Sequence, residues 1–209
     1  MTILVSDVFS EAADKDLALH TPGTGSGYTK LSGQQMDDVS SVSRVGKVGV
    51  AGTGLYSNDT AISSSDYDVS GTFQVSSNAI DPQAICGRIT GAQFDRYEGG
   101  IYLNGGNPAT EIHKFVSGVE TILASVDTFG FAAGDTMKLS MVGTSIMVYR
   151  NNVLKATVTD SSMTATGKAG LRVTSQNSGT PSTDSSLSFF SVDGVSTAGS
   201  LLMMGQICL

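Results

Sequence analysis

The chain has 209 residues, including 25 glycines and only 4 prolines, and charged residues make up 15% of it. This weakly charged, turn-rich composition is typical of antiparallel β proteins and excludes a coiled coil or a disordered tail. The net charge of −7 repels phosphate backbones, so we expect no nucleic-acid partner, and no apolar run approaches the roughly 20 residues that a membrane-spanning helix needs.

The N-terminal sequence and the two cysteines bear on the compartment of the protein. The run MTILVSDVFS has neither a basic n-region nor a long apolar region, so we expect no signal peptide. Cys86 lies in an apolar, strand-like run, and Cys208 is next to the last residue. Two such cysteines cannot form a zinc site alone and are a poor basis for a disulfide framework. We therefore predict free thiols in a protein made in a reducing cytosol.

Apolar and polar residues alternate with period two along most of the chain, which predicts strands with one buried and one wet face. In the run from 67 to 75, for example, Tyr67, Val69 and Phe73 share one face. The predicted strands occupy residues 3–9, 27–31, 47–55, 67–75, 83–90, 93–103, 111–116, 121–126, 137–141, 145–150, 153–159, 168–173 and 186–192. About a dozen strands at short spacing favour an all-β, two-sheet antiparallel jelly-roll sandwich over a smaller seven-stranded one.

Turn residues separate these strands. Asn151-Asn152 can supply the two positive φ angles of a two-residue hairpin, and Gly143-Thr144 is predicted to turn the chain just before it. Residues 104–108, NGGNP, break the chain between two further strands. Because no repeat of 20–50 residues is evident, we predict one sandwich domain over 1–194, followed by an apolar C-terminal tail over 195–209.

Several segments resemble the concanavalin A-like lectin/glucanase sandwich, in the divergent form found in bacteriophage structural proteins. Residues 7–9, 16–22 and 27–30 resemble the entry strand and first loop of such domains. The later segments with this likeness are 138–143, 145–152 and 167–173, which resemble a late hairpin, and 186–194, which resembles the closing strand. The resemblance covers about residues 5–194 and implies that the closing strand pairs beside the first. It implies function only by analogy.

Glucanases of this fold need paired carboxylates alternating along one strand, and no E-x-D-x-E spacing is present. Asp95 and Glu98 are an odd number of residues apart and should point to opposite faces of a strand. Glu111 and His113 share a face, so an acid/base pair is conceivable, although a solvated strand face is the simpler interpretation. With no G-x-S-x-G elbow either, we predict no catalytic residues and a protein that is not an enzyme.

Polar loops provide candidates for metal binding. His20 with Asp14 and Asp16 could form a weak metal or hydrogen-bond cluster, and a polar loop contact is the alternative. Calcium could be held by carboxylates and amides that otherwise cap turns, and these are Asp37, Asp38, Asn58, Asp59, Asp66 and Asp68. None of them shows a fixed ligand spacing, so no cofactor is predicted.

Two further groups of residues are candidates for contacts with partners. Tyr97, Tyr102 and Tyr149 could stack on a sugar, although a core of this size also needs its aromatic rings. The tail would be an aggregation liability in water, so it should dock on its own domain or on a partner. Its candidate docking residues are Leu201, Leu202, Met203, Met204, Ile207 and Leu209. Residues 1–5 could behave similarly.

These features favour a non-enzymatic bacteriophage virion protein, most of all a capsid decoration (cement) or head-surface protein that stabilises the shell. Such a protein would be made in the host cytoplasm, would bind viral capsid or other virion proteins, and would form a homo-oligomer whose several attachments reinforce each other. The alternative is a carbohydrate-binding domain on a phage tail or fibre that recognises host glycans. A glycan-processing enzyme of the same fold, with Glu111 as its acid or base, is a third hypothesis.

Overall fold

A computed structural model of the protein describes residues 2–39, 42–46, 52–74, 82–104, 107–127, 131–175 and 186–195. These residues form strands joined by turns, with a single 3₁₀ helix, Leu17–Leu19, near the start. The strands in chain order are β1 Thr2–Asp7, β2 Lys15–Asp16, β3 Tyr28–Gly33, β4 Asp37–Val39, β5 Arg44–Gly46, β6 Gly52–Asn58, β7 Tyr67–Gln74, β8 Gln83–Thr90, β9 Asp95–Asn104, β10 Asn107–Val116, β11 Val119–Asp127, β12 Asp135–Val142, β13 Ser145–Arg150, β14 Val153–Thr159, β15 Lys168–Ser175 and β16 Ser186–Gly194.

The described strands form two antiparallel sheets. One sheet has nine strands in the order β14-β13-β12-β7-β16-β5-β4-β2, with β1 also paired to β16. The other has seven strands in the order β11-β10-β9-β8-β15-β6-β3. The closing strand pairs beside the first, with Val192 opposite Val5 and Phe190 opposite Asp7, as the family resemblance implied.

One hydrophobic core lies between the two sheets. Alternation along each strand directs one set of side chains inward, such as Val69 and Phe73 of β7 in one sheet and Ile85 of β8 in the other, and all three are fully buried. Removing such side chains from water stabilises the fold by roughly 1.5–3 kcal/mol each. The core therefore fixes which face of every strand is left to carry polar groups.

The predicted all-β, two-sheet sandwich is confirmed, and most predicted strands lie within a few residues of the observed ones. The hairpin between β13 and β14 is also confirmed, since Asn151 and Asn152 both have positive φ angles, of 50° and 63°. The short strands β2, β4 and β5 were missed, because two or three residues are too few to show an alternation. Residues 47–51 of one predicted strand and Val75 of another lie outside the described residues.

The two ends of the chain differ in what the structure describes. The N-terminal residues from Thr2 belong to β1 and so pair with their own domain. All six candidate docking residues of the tail, between Leu201 and Leu209, lie outside the described residues. Among the helices that the structure describes, none is long and apolar enough to span a membrane.

Candidate functional site

A group of charged and polar side chains lies on the seven-stranded sheet, on the face that points away from the core. In β9, Tyr97 and Ile101 point into the core, so Arg96, Glu98 and Tyr102, at alternate positions, point outward. In β10 the core residue is Ile112, and in β15 Leu171 and Val173 are in the core. The outward residues, which we call the outer polar cluster, are Arg96, Glu98, Tyr102, Glu111, His113 and Arg172.

Glu98 is at the centre of this cluster and is fully buried. Arg96 Nε donates to one of its carboxylate oxygens at 2.6 Å, and Arg172 Nη1 donates to the other at 3.1 Å. The hydroxyl of Tyr102 also donates to Glu98. Burial by itself would raise the pKa of Glu98, but the charges of Arg172 and Arg96 hold that pKa below its usual value. The carboxylate is therefore ionised and rigidly held.

His113 lies directly beside Glu98 across the strand pair and joins the cluster to two more carboxylates. Its Nε2 is 2.5 Å from Glu111 Oε2, and its Nδ1 is 2.6 Å from Glu120 Oε1. Its ring stacks on Tyr102 with the centroids 3.9 Å apart and the planes 13° from parallel. Both ring nitrogens and one ring face are thus engaged, which fixes the orientation of the imidazole.

The rim of the cluster reaches solvent. The side chain of Glu120 is 48% exposed, and that of Arg172 is 20% exposed. Ser125, also exposed, donates to Glu111 Oε1 at 2.7 Å. A ligand at this rim would find carboxylate acceptors and guanidinium donors that are already oriented by their neighbours. Such an arrangement suits the recognition of hydroxyl or other polar groups, because little side-chain entropy is lost on binding.

The sequence predicted that Glu111 and His113 share a strand face, but it did not predict that Tyr102 stacks on His113. Glu111 and His113 share a face, as their spacing predicted, but the expected solvated strand face is wrong, since both are buried. Tyr102 from β9 covers the imidazole, and a single sequence does not show which strands are neighbours. Asp95 does not meet Glu98 and instead accepts a hydrogen bond from the backbone N–H of Ser117.

The arginines of the cluster were not identified from the sequence. Arg96 and Glu98 are two residues apart in one strand, and this i, i+2 spacing of opposite charges is a local signal that could have found the pair. Arg172 is 74 residues from Glu98, so no local pattern relates the two. The pairing of β8 with both β9 and β15 brings them together.

The three tyrosines that were candidates for stacking on a sugar have different surroundings. Tyr97 is fully buried, and its hydroxyl donates to Asp160 at 2.6 Å. Tyr102 is buried within the outer polar cluster. The expectation of sugar stacking is therefore corrected for these two rings, which pack inside the protein. Tyr149 is half-buried on the nine-stranded sheet, with Lys138 Nζ 4.3 Å from the ring centroid, and its role in stacking stays a prediction.

The partners predicted for His20 are corrected by the structure. Its ring contacts Asp7, Glu11 and Asp38, not Asp14 and Asp16. Asp16 instead caps the 3₁₀ helix by accepting the N–H of Ala18. Chain folding between β1 and β4 brings Asp7 and Asp38 to the imidazole, and neither is close to it in sequence.

Most calcium candidates are engaged in turns or ion pairs. Asp59 accepts from Lys168 Nζ at 2.7 Å, Asp66 accepts from the N–H of Gly143 at 2.9 Å, and Asp37 accepts from Gln35 at 2.8 Å. Across the part of the chain that the structure describes, one set of three metal-ligating groups converges within 4.8 Å, and it includes Asp38. Turn capping therefore accounts for Asp66, as the alternative interpretation had it.

Of the two cysteines, Cys86 is among the residues that the structure describes. Cys86 is free and fully buried beside Leu55 and Ile89, and burial raises the pKa of its thiol well above the usual value. This makes the thiol a poor nucleophile. Cys208 lies outside the described residues.

No protein-family model and no curated protein sequence matches this chain. Its fold is similar to that of the carbohydrate-binding module CBM66 from Bacillus subtilis, with a TM-score of 0.58 at 15% identity, over 81% of this chain and 96% of the module. The metal-free exoplasmic/lumenal domain of VIP36 aligns with a TM-score of 0.59 at 11% identity, over 93% of this chain and 94% of that domain.

A third similar structure is the carbohydrate recognition domain of Emp46p in its potassium-bound form. Its TM-score is 0.58 at 9% identity, over 81% of this chain and 89% of the domain. Identities this low show a shared fold and nothing more. The chain therefore has a concanavalin A-like jelly-roll fold, which confirms the fold class that the sequence predicted.

Proposed function

We propose that this protein is a non-enzymatic glycan-binding module whose ligand lies on the outer polar cluster. The observation that carries the proposal is the network around Glu98, in which carboxylates and guanidinium groups are fixed by one another on the outward face of a sheet. Sugar hydroxyl groups both donate and accept hydrogen bonds, so they match the exposed rim of the cluster, where Glu120 offers acceptors and Arg172 offers donors. The similar fold of CBM66, a carbohydrate-binding module, and of the Emp46p carbohydrate recognition domain supports the same ligand class.

The contacts of the two buried carboxylates, Glu98 and Glu111, favour binding over hydrolysis. A glycosidase needs one carboxylic acid that is protonated and able to give its proton to the leaving oxygen. Glu98 is held ionised by two arginines, and Glu111 is tied to His113 and Ser125. Neither carboxylate is then free to act as the general acid, and the same contacts that oppose catalysis keep the surface rigid for binding.

A glycan array followed by calorimetry tests this proposal. Binding should be found for at least one glycan, and Glu120→Gln with Ser125→Ala should weaken it by about tenfold or more, because two rim hydrogen bonds are removed. Lys30→Gln with Ser32→Ala on β3 is the matched control and should bind as the native chain does, because both side chains are exposed at the opposite edge of the same sheet. Unchanged affinity in the rim variant, or hydrolysis of the bound glycan, would overturn the proposal.

We also propose a second candidate function, a structural role in a bacteriophage virion such as capsid decoration after synthesis in the host cytoplasm. One observation favours it beyond the resemblance in sequence. The outermost strands of the two sheets on one side, β11 and β14, contact each other and carry exposed apolar side chains, with Ile122 57% and Leu154 49% exposed. Such an apolar edge suits burial against a neighbouring chain.

Retention on phage heads tests the second function. Ile122→Asp with Leu154→Asp should release the protein from purified heads. Leu19→Asp, at an apolar position on the 3₁₀ helix that is 67% exposed, should leave retention unchanged. Release by the tail variant Leu201→Asp with Met204→Asp alone would assign attachment to the tail instead of this edge. If the native chain does not co-purify with heads, the virion role is wrong.

A further inference from the structure

A second buried cluster lies at the other end of the chain, apart from the outer polar cluster. His20 follows the 3₁₀ helix Leu17–Leu19, and its backbone N–H donates to Leu17 O at 3.2 Å. Its side chain is 4% exposed. Three carboxylates surround the imidazole, those of Asp7 at the end of β1, Glu11 in the following loop and Asp38 in β4. Neither proposed function uses these residues.

Two of the carboxylates converge on one nitrogen of the ring. Glu11 Oε1 and Asp38 Oδ2 are each 3.1 Å from His20 Nδ1. Ligand atoms that share one small divalent ion are roughly 3 Å apart, because each bond is about 2.0–2.2 Å long and the ligands spread around the ion. The two measured distances therefore match the spacing of ligands around one ion, and all three ligand atoms lie within 4.8 Å of one another.

The free oxygen of Asp38 is a separate observation that points to a missing ligand. Asp38 is fully buried, and its Oδ1 has no hydrogen-bond partner in the structure. Leaving a carboxylate oxygen buried and unpaired is unfavourable, because it has lost its hydrogen bonds to water and gained none in the protein. An ion held by both oxygens of Asp38 would satisfy it.

Asp7 orients the ring for this role. Its Oδ2 is 2.8 Å from His20 Nε2, and the same oxygen accepts the Tyr28 hydroxyl at 2.9 Å. Asp7 Oδ1 accepts the N–H of Phe9 at 3.0 Å. A carboxylate that fixes the far nitrogen of a ligating histidine is the usual outer partner in metal sites, because it sets the tautomer and the direction of the ring. Here it directs Nδ1 toward Glu11 and Asp38.

We propose that Glu11, His20 and Asp38 bind a divalent transition-metal ion of the Zn²⁺ class. An imidazole nitrogen with carboxylate oxygens suits such ions, whereas Ca²⁺ takes six to eight oxygen ligands and does not select an imidazole. The ion would tie the loop before β2 to β4 and so stabilise the N-terminal part of the sandwich. The proton on Nδ1 and the ammonium of Lys15, 3.2 Å from Glu11 Oε1, compete for the same atoms.

The test uses the full chain without an affinity tag, stripped with a chelator and carrying Cys208→Ser so that the tail thiol offers no ligand. Calorimetry with ZnCl₂ should give one site per chain, and an excess of about 100-fold over Kd should raise Tm by roughly 5–10 °C. CaCl₂ at the same concentration should give no shift. Co²⁺ should add an absorption band that reports nitrogen and oxygen ligation.

Two variants, each of which removes one carboxylate from the segment between β1 and β2, distinguish binding at the site from non-specific binding. Glu11→Gln should weaken Zn²⁺ binding by about tenfold or more, and since the Glu11 side chain is 25% exposed the fold should survive. Asp14→Asn is the matched control, because Asp14 is exposed and lies outside the converging set. The proposal is overturned if Zn²⁺ does not bind, if Glu11→Gln binds as the native chain does, or if Asp14→Asn weakens binding equally.

Discussion

At the scale of single residues, the buried carboxylate of Glu98 determines how the outer face responds to acid. Its folded pKa is below the usual 4.5, because the charges of Arg172 and Arg96 outweigh the effect of burial. A lowered folded pKa means that the unfolded chain binds the proton more readily. The stabilisation is therefore present above about pH 4.5 and is lost as the pH falls through the lower, folded pKa.

Glu98→Gln should lower the free energy of unfolding by about 3–5 kcal/mol at pH 7, because the guanidinium groups of Arg96, which is buried, and of Arg172, which is partly buried, lose their counter-charge. The difference between this variant and the native chain should shrink below about pH 4.5 as the native carboxyl takes up its proton. Urea denaturation at a series of pH values measures both effects. Glu120→Gln, at an exposed position, should change stability by less than about 1 kcal/mol. A difference that is constant from pH 7 to pH 3 would contradict this account.

The residue scale is also where the sequence was least informative. Alternation along the strands predicted the face on which each of Glu98, Glu111 and His113 lies, because the direction of a side chain from a strand is a local property. It did not show that Arg172 neutralises Glu98 or that Asp38 reaches His20, because strand order across the sheets decides those contacts. A single sequence shows which residues are charged, but it does not show which of them are neighbours in the fold.

At the scale of elements, the hairpin between β13 and β14 is set by local chemistry. Asn151 and Asn152 occupy the left-handed region, which asparagine tolerates better than other side chains. Asn151 also accepts the N–H of Thr136 at 2.9 Å and donates to Asp135 at 2.7 Å, so this turn is joined to the start of β12. Such turns can be predicted from sequence because the residues that form them are adjacent.

Asn152→Val should lower the free energy of unfolding by about 1–2 kcal/mol, since a β-branched residue is strained at a φ of 63°. Asn152→Gly should be as stable as the native chain or slightly more so, because glycine adopts positive φ without strain. Chemical denaturation of both variants gives the comparison. If valine were tolerated as well as glycine, the positive φ at Asn152 would not be a constraint on the hairpin.

At the scale of the whole molecule, aromatic contacts tie the two sheets together. Phe190 of β16 is in the nine-stranded sheet, and Tyr28 of β3 is in the seven-stranded one. Their ring centroids are 6.0 Å apart with the planes at 63°, an edge-to-face arrangement, and both rings are buried. The family resemblance implied that the closing strand, residues 186–194, pairs beside the first strand. The sequence did not predict the contact between sheets, because nothing in the spacing relates positions 28 and 190.

Phe190→Ala should lower the free energy of unfolding by about 3–5 kcal/mol, because it leaves a cavity between the sheets and removes an aromatic pair. Phe189→Ala is the matched control, since Phe189 is adjacent and only half-buried, and its loss should be clearly smaller. Far-ultraviolet circular dichroism reports the strands, and tyrosine fluorescence reports the core, because the chain has no tryptophan. The two signals should change together in one transition, since sheets that share one core unfold as a unit. Separate transitions, or an equal loss in Phe189→Ala, would show that the contact between Phe190 and Tyr28 does not couple the sheets.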